Sequence, residues 1–188
     1  MNFKYYAAFI NERIARQAKW DSRFLALAEQ VALWSKDPST KCGAVITRPG
    51  NFVVSVGYNG FPSGCDDADE LYTAKETKYS RVVHAETNAV LSARQSVEGC
   101  TIYVTPIPPC DRCASTLIQA GIIRVVHPEI DVSKIERWRA AFDSAMKMYR
   151  EAGVEVVSVR ARSATESGQG AEASGRDGSG EQNASGNA

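Results

Sequence analysis

From residue 84 onward the chain alternates helix-forming segments with short apolar runs, and this alternation restricts the fold more than any other feature. HAETNAVLSARQ (84–95), DRCASTLIQAG (111–121) and SKIERWRAAFDSAMKMYREAG (133–153) have helical spacing, the latter two ending on glycines suited to close a helix. TIYVTP (101–106), IIRVVH (122–127) and VEVVSV (154–159) lie between and after them and read as short, buried strands. A helix between two such strands is long enough to bring the second back parallel to the first. Upstream, CGAVITR and NFVVSVG flank Pro49 and Gly50, turn chemistry that predicts a β-hairpin over 42–48 and 51–57. The order α, β, β, α, β, α, β, α, β predicts an α/β fold: a mixed five-stranded sheet with helices on both faces, in three α/β/α layers.

The first core helix is expected to begin at Asp21, in N-cap position before Phe24, Leu25, Ala28, Val31 and Ala32, and to stop before Asp37-Pro38. Residues 1–19 are then a helical extension with a weaker pattern, rich in aromatic residues. Residues 20–160 form the principal domain, within which 58–81 reads as a long, polar, turn-rich loop of the kind that carries function. Residues 161–188 hold Gly, Ser, Ala and charged residues with no large apolar side chain. They are expected to be disordered, because they bury too little surface to offset chain entropy.

A length of 188 residues suits one domain, and 22 basic against 22 acidic residues leave no net field for a polynucleotide. Five cysteines, an odd number unevenly spaced, do not form a secretory disulfide framework, and no signal segment opens the chain. No apolar run approaches the roughly 18 residues of a membrane span. A soluble, cytoplasmic protein with a small-molecule partner, bound to neither polynucleotide nor membrane, is the expectation.

Cys110 and Cys113 stand two apart at the start of a helix, behind Pro108-Pro109. A redox pair has support there, since a helix N-terminus lowers a thiol pKa, although such motifs normally sit in the first βα unit. Zinc needs further ligands. The chain has two histidines. His127, closing a strand, reads as an ordinary hydrogen-bonded residue, whereas His84 opens a helix as His-Ala-Glu, one βα step before the cysteines. This reproduces the H-x-E…P-C-x-x-C pattern of zinc deaminases. Helices that follow adjacent strands can present their N-termini side by side, bringing His84, Cys110 and Cys113 together as three ligands and leaving the fourth position for water. Glu86, two residues beyond His84, is placed to act as the proton-carrying base rather than as a ligand.

Across about residues 20 to 127 the chain resembles the deoxycytidylate (dCMP) deaminases, through WDSRFLALAEQVALWSKDPSTKCGAVI, GYNGFPSGCDD, TKY, HAETNAV and CDRCASTLIQAGI, in family order. The resemblance implies the cytidine-deaminase fold, hydrolysis of dCMP to dUMP and ammonia in supply of thymidylate, and a homo-oligomer, commonly a hexamer. It gives His84, Cys110 and Cys113 as zinc ligands and Glu86 as proton shuttle. Asn59 matches an asparagine that contacts sugar or base, though an Asn before Gly60 is also ordinary turn chemistry. The YNGFPSGCDD segment is linked in the family to activation by dCTP, with Mg2+, and inhibition by dTTP. Lys41, Lys78 and Gly60 are candidates for phosphate or effector contacts; Arg81 and Arg112 also lie near the motifs, and each cation has the alternative of a solvated surface charge. YVTPIPPC is one residue longer than the usual family path, which opens the alternative of a 5-methyl or 5-hydroxymethyl dCMP substrate. With Cys42, Cys65 and Cys100 scattered, one zinc per chain is expected. The rivals are another nucleobase deaminase, such as one acting on adenosine in tRNA, and a non-catalytic zinc-stabilised binding module.

Overall fold

A computed structural model describes residues 3–131 and 136–160. The segment expected to be disordered, 161–188, and residues 133–135 of the last expected helix lie outside the described residues. The elements are helix α1 (Phe3–Ala32), strands β1 (Gly43–Arg48) and β2 (Phe52–Tyr58), a 3-10 turn (Asp69–Tyr72), α2 (Lys75–Arg81), α3 (Ala85–Ser92), β3 (Thr101–Thr105), α4 (Asp111–Gln119), β4 (Arg124–Pro128), α5 (Arg139–Ala152) and β5 (Glu155–Val159). The strands form one five-stranded sheet in the order β2-β1-β3-β4-β5. β1 runs antiparallel to both β2 and β3, while β3, β4 and β5 are parallel. The α/β alternation thus yields the expected mixed sheet.

Successive strand residues point to opposite faces, and the two halves of the core follow from that period. Ala44, Ile46, Ile102, Val104 and Val125 pack with Ala85 and Ala89 of α3, Ala114 and Leu117 of α4, and Ala145 and Tyr149 of α5. The intervening residues Val45, Tyr103 and Val126 pack with Phe24, Leu25, Ala28 and Val31 of α1. Three helices cover one face and α1 the other, giving the three layers.

Two glycines let helices rest directly on the sheet. A Cβ at Gly43 would strike the Ala28 carbonyl oxygen and lie 2.6 Å from Ala32 N; at Gly57 it would strike Ala85 O and Ala89 N. These contacts fix α1 over β1 and α3 over β2. No helix among the described residues is long and apolar enough to cross a membrane.

Two expectations are corrected. Asp21 is not an N-cap, because α1 is one unbroken helix of 30 residues. The carboxylate of Asp21, 3% exposed, instead accepts from Arg124 Nη1 and Nη2 at 2.8 Å each and from the Tyr103 hydroxyl at 3.1 Å. Its oxygens are taken by these partners across the fold and by Gln17 Nε2 one turn earlier in α1, at 3.0 Å, rather than by helix N–H groups. Residues 58–81 are also more ordered than a loop. Phe61 stacks on Tyr72 at 4.2 Å, the Tyr72 hydroxyl donates to Asp67 at 2.6 Å, and a Gly60–Val83 bridge pins the ends together. A few specific contacts hold this segment, so periodicity could not reveal it.

Candidate metal centre and active site

α3 and α4 begin at the same end of the sheet, with His84 and Cys110 at their N-cap positions. Both have extended backbone, and neither side chain caps its own helix. The ligating atoms are therefore free to turn toward each other. His84 Nδ1 lies 3.5 Å from Cys110 Sγ and 3.3 Å from Cys113 Sγ, and the three ligating atoms all fall within 4.8 Å of one another. A tetrahedral zinc with bonds of about 2.0–2.1 Å to nitrogen and about 2.3 Å to sulfur separates such a pair by roughly 3.5 Å. The donor set and its spacing fit that ion.

A hydrogen bond from Cys113 holds the Cys110 thiol down at about 4, and the same bond, with burial, pushes Cys113 up. One negative charge is easily formed and a second is not, until a cation takes the place of the proton. The hydrogen bond to Cys110 also raises His84 against the effect of burial. Glu86, in the first turn of α3 and 5% exposed, has its pKa raised by desolvation. A carboxyl in that condition changes protonation state closer to neutrality than an exposed one.

His84, Glu86 and Cys110 open onto a cavity of about 400 Å³. Asn59 and Lys78 line it too, but both are engaged. Asn59 Oδ1 accepts from Cys42 N at 2.7 Å, and Nδ2 donates to Thr40 O at 2.9 Å and to Asp37 Oδ2 at 3.3 Å. Both amide protons are spent on holding the 37–42 segment, which leaves one lone pair of Oδ1 for a ligand. Lys78 Nζ, buried, is paired with Asp37 Oδ1 at 2.6 Å. Lys41, Arg81 and Arg112 are exposed and Gly60 is buried, and none of the four lines the cavity. His127 is buried and within 2.8 Å of the Pro128 carbonyl, and Cys65 is exposed while Cys100 is in the core.

Among the cavity residues that sequence reasoning passed over are Lys75, Arg137, Trp138 and Phe142. Lys75 and Arg137 are exposed and in no ion pair among the described residues. The Arg137 guanidinium lies over the Trp138 ring at 5.2 Å. One signal was available: an Arg-Trp pair at the start of the helix after β4, the sheet end at which the parallel strands deliver the site.

Fold and site together define an α/β domain whose two helix N-termini present a metal-ion site to a nucleotide-sized cavity. The family model for the cytidine and deoxycytidylate deaminase zinc-binding region matches residues 18–128. The chain belongs to that family. An uncharacterised deaminase from the luxG 3' region of Aliivibrio fischeri is 46% identical over 139 residues, 74% of this chain and 92% of that protein. Human deoxycytidylate deaminase is 44% identical over 115 residues, 57% of this chain; the match spans 64% of the human enzyme, less than two thirds of its length. The dCMP deaminase of cyanophage S-TIM5, solved with dCMP and dUMP, superposes with a TM-score of 0.55 at 25% identity, covering 72% of this chain and 93% of that one.

Proposed function

We propose that this chain is a zinc-dependent deaminase that converts dCMP to dUMP and ammonia. The observation that carries the reading is the convergence of His84, Cys110 and Cys113 beside a buried Glu86, at a cavity that also holds Lys75 and Arg137, two cations in no ion pair among the described residues. His84, Cys110 and Cys113 would hold the zinc ion, which when bound supplies the Lewis acidity that brings a coordinated water toward ionisation near neutral pH. Glu86 does the proton work. It takes a proton as water adds to C4 of the cytosine ring and delivers it to N3; it then takes the proton of the added C4 hydroxyl and passes it to the amino group, which leaves as ammonia as the C4 carbonyl forms. Desolvation suits one carboxyl to both tasks, because it brings the proton-holding form nearer to the working pH.

A monophosphate requires positive charge at the cavity. Lys78 is neutralised by Asp37, so Lys75 and Arg137 are the groups that supply it. Regulation by dCTP, with Mg2+, and by dTTP belongs to the same proposal. It is supported by the presence of the YNGFPSGCDD segment and by the stacking of its Phe61 on Tyr72, a residue of the cavity wall. Homo-oligomer formation is supported by exposed Trp34, Phe52, Val53 and Tyr58, of which the last three belong to the edge strand β2. The second reading, tolerance of a 5-substituted dCMP, is favoured by Ile107 and Pro108 of the longer segment, which line the cavity.

Ammonia release from dCMP, 5-methyl-dCMP and deoxycytidine by the zinc-loaded chain tests the proposal. The expected order is dCMP at least tenfold above deoxycytidine in kcat/KM, with Arg137→Ala raising KM for dCMP but not for deoxycytidine. No ammonia from dCMP would overturn the assignment, and strong exclusion of 5-methyl-dCMP would remove the second reading.

A further inference from the structure

Asp37, Asn59 and Lys78 are buried polar side chains, and all three line the cavity. Taking a carboxylate and an ammonium out of water commonly costs as much as their attraction returns, so stability alone is a weak reason for the cluster. Its hydrogen bonds supply another. Asp37 Oδ1 accepts from Ser39 N at 2.8 Å, from Thr40 N at 3.2 Å and from Lys78 Nζ at 2.6 Å, and Oδ2 accepts from Asn59 Nδ2 at 3.3 Å. The two backbone bonds fold residues 37–40 into a turn and so place the Thr40 carbonyl, to which Asn59 Nδ2 also donates, at 2.9 Å. Asp37 therefore acts on the Asn59 amide twice, directly and through the turn it holds. Lys78 is its counter-ion, without which so buried a carboxylate would stand uncompensated.

These partners leave the amide one orientation. With Oδ1 and Nδ2 exchanged, Nδ2 would face the Cys42 N–H, and Oδ1 would face the Asp37 carboxylate and the Thr40 carbonyl, setting like against like at every contact. Asn59 can then meet a ligand only as an acceptor, through Oδ1. dCMP donates at neutral pH through its 4-amino group and its 3′-hydroxyl. The amino group must lie at the metal and Glu86 for C4 to be attacked, so the 3′-hydroxyl is the donor left for Asn59.

We propose that Asp37, with Lys78 as its counter-ion, is a positioning residue of the nucleotide site: it locks the Asn59 amide as an acceptor and so selects nucleotides whose sugar carries a 3′-hydroxyl. The proposal rests on the dCMP reading above. Ammonia release from dCMP and from 2′,3′-dideoxy-CMP, which lacks the donor, tests it on the zinc-loaded full chain. The wild type is expected to favour dCMP at least about tenfold in kcat/KM. Asp37→Asn combined with Lys78→Met removes both charges together. The introduced amide can still accept from Ser39 and Thr40 N–H, but its nitrogen then meets Asn59 Nδ2, donor against donor. For this variant KM for dCMP is expected to rise about tenfold, with kcat/KM for the dideoxy compound changed less than about threefold, so that the preference collapses. If that variant does not fold, Asp37→Ser with Lys78→Met, whose hydroxyl can also hold the turn, is read by the same ratio. A wild-type chain that deaminates both nucleotides equally well would overturn the proposal. So would variants that keep the preference, or that lose both activities in equal measure, since the cluster would then be merely structural. No ammonia from dCMP with the wild type would instead sink the dCMP reading, and this proposal with it.

Discussion

Asp21 and Arg124 bind α1 to the middle of the sheet through a two-point ion pair with both nitrogens at 2.8 Å. The side chains are 4% and 13% exposed, and the second acid on Arg124, Glu155, is 63% exposed. Asp21→Ala would leave a mostly buried guanidinium with a solvated partner, and is expected to cost about 3 kcal/mol in urea denaturation. Glu12→Ala, which breaks an exposed pair with Arg16, should stay within about 1 kcal/mol. Equal effects would contradict the role given to Asp21. His127 gives a pH dependence. Burial depresses its pKa, so the folded chain resists a proton that the unfolded chain accepts near the ordinary value of about 6.5. Its contribution to stability is therefore complete above that value and is lost as pH falls through the folded pKa. His127→Gln is expected to flatten the fall in urea midpoint between pH 7 and 5.5, and an unchanged slope would rule His127 out as its source. At this scale the convergence of the candidate residues was legible, because one βα repeat places His84 and Glu86 at one helix start and Cys110 and Cys113 at the next, in a recognisable order. The Asp37–Lys78 pair was not, since nothing local links residues 41 apart in sequence.

α3 is where packing and chemistry meet. Its placement on β2 depends on Gly57, where a side chain would run into the backbone of Ala85 and Ala89. Backbone cannot yield as a flexible side chain does, so Gly57→Ala should displace the helix start that carries His84 and Glu86. The expected outcome is weaker zinc binding together with a lower melting temperature; unaltered zinc affinity would show that the helix start does not depend on this contact. Elements of strong apolar periodicity, namely the three parallel strands and α4 and α5, were readable in outline from the residues. α1 was misread because an aspartate ahead of an apolar stripe resembles a cap, and its true partner lies 103 residues away. α2 was missed because KETKYSR contains no apolar stripe. Its buried residue is Lys78, which is held by charge.

On the scale of the molecule, the sheet sorts its helices so that one face anchors α1 and the other brings α3 and α4 to a common edge. β5 ends at Val159, and we propose that the catalytic unit closes there, at about residue 160, with residues 1–19 as an extension to it. The cavity, the ligand set and the buried carboxyl all lie within that unit. The two roles at its centre, holding the ion and moving the proton, are assigned to different residues and can be separated in one measurement: zinc content and ammonia release from dCMP, determined on the same preparations of the wild-type chain and of Glu86→Ala. The wild type is expected to carry about one zinc per chain and to turn over dCMP, while Glu86→Ala keeps its zinc and loses at least about 100-fold in turnover. Near-wild-type turnover in Glu86→Ala, or a zinc-loaded wild-type chain that releases no ammonia from dCMP, would contradict it.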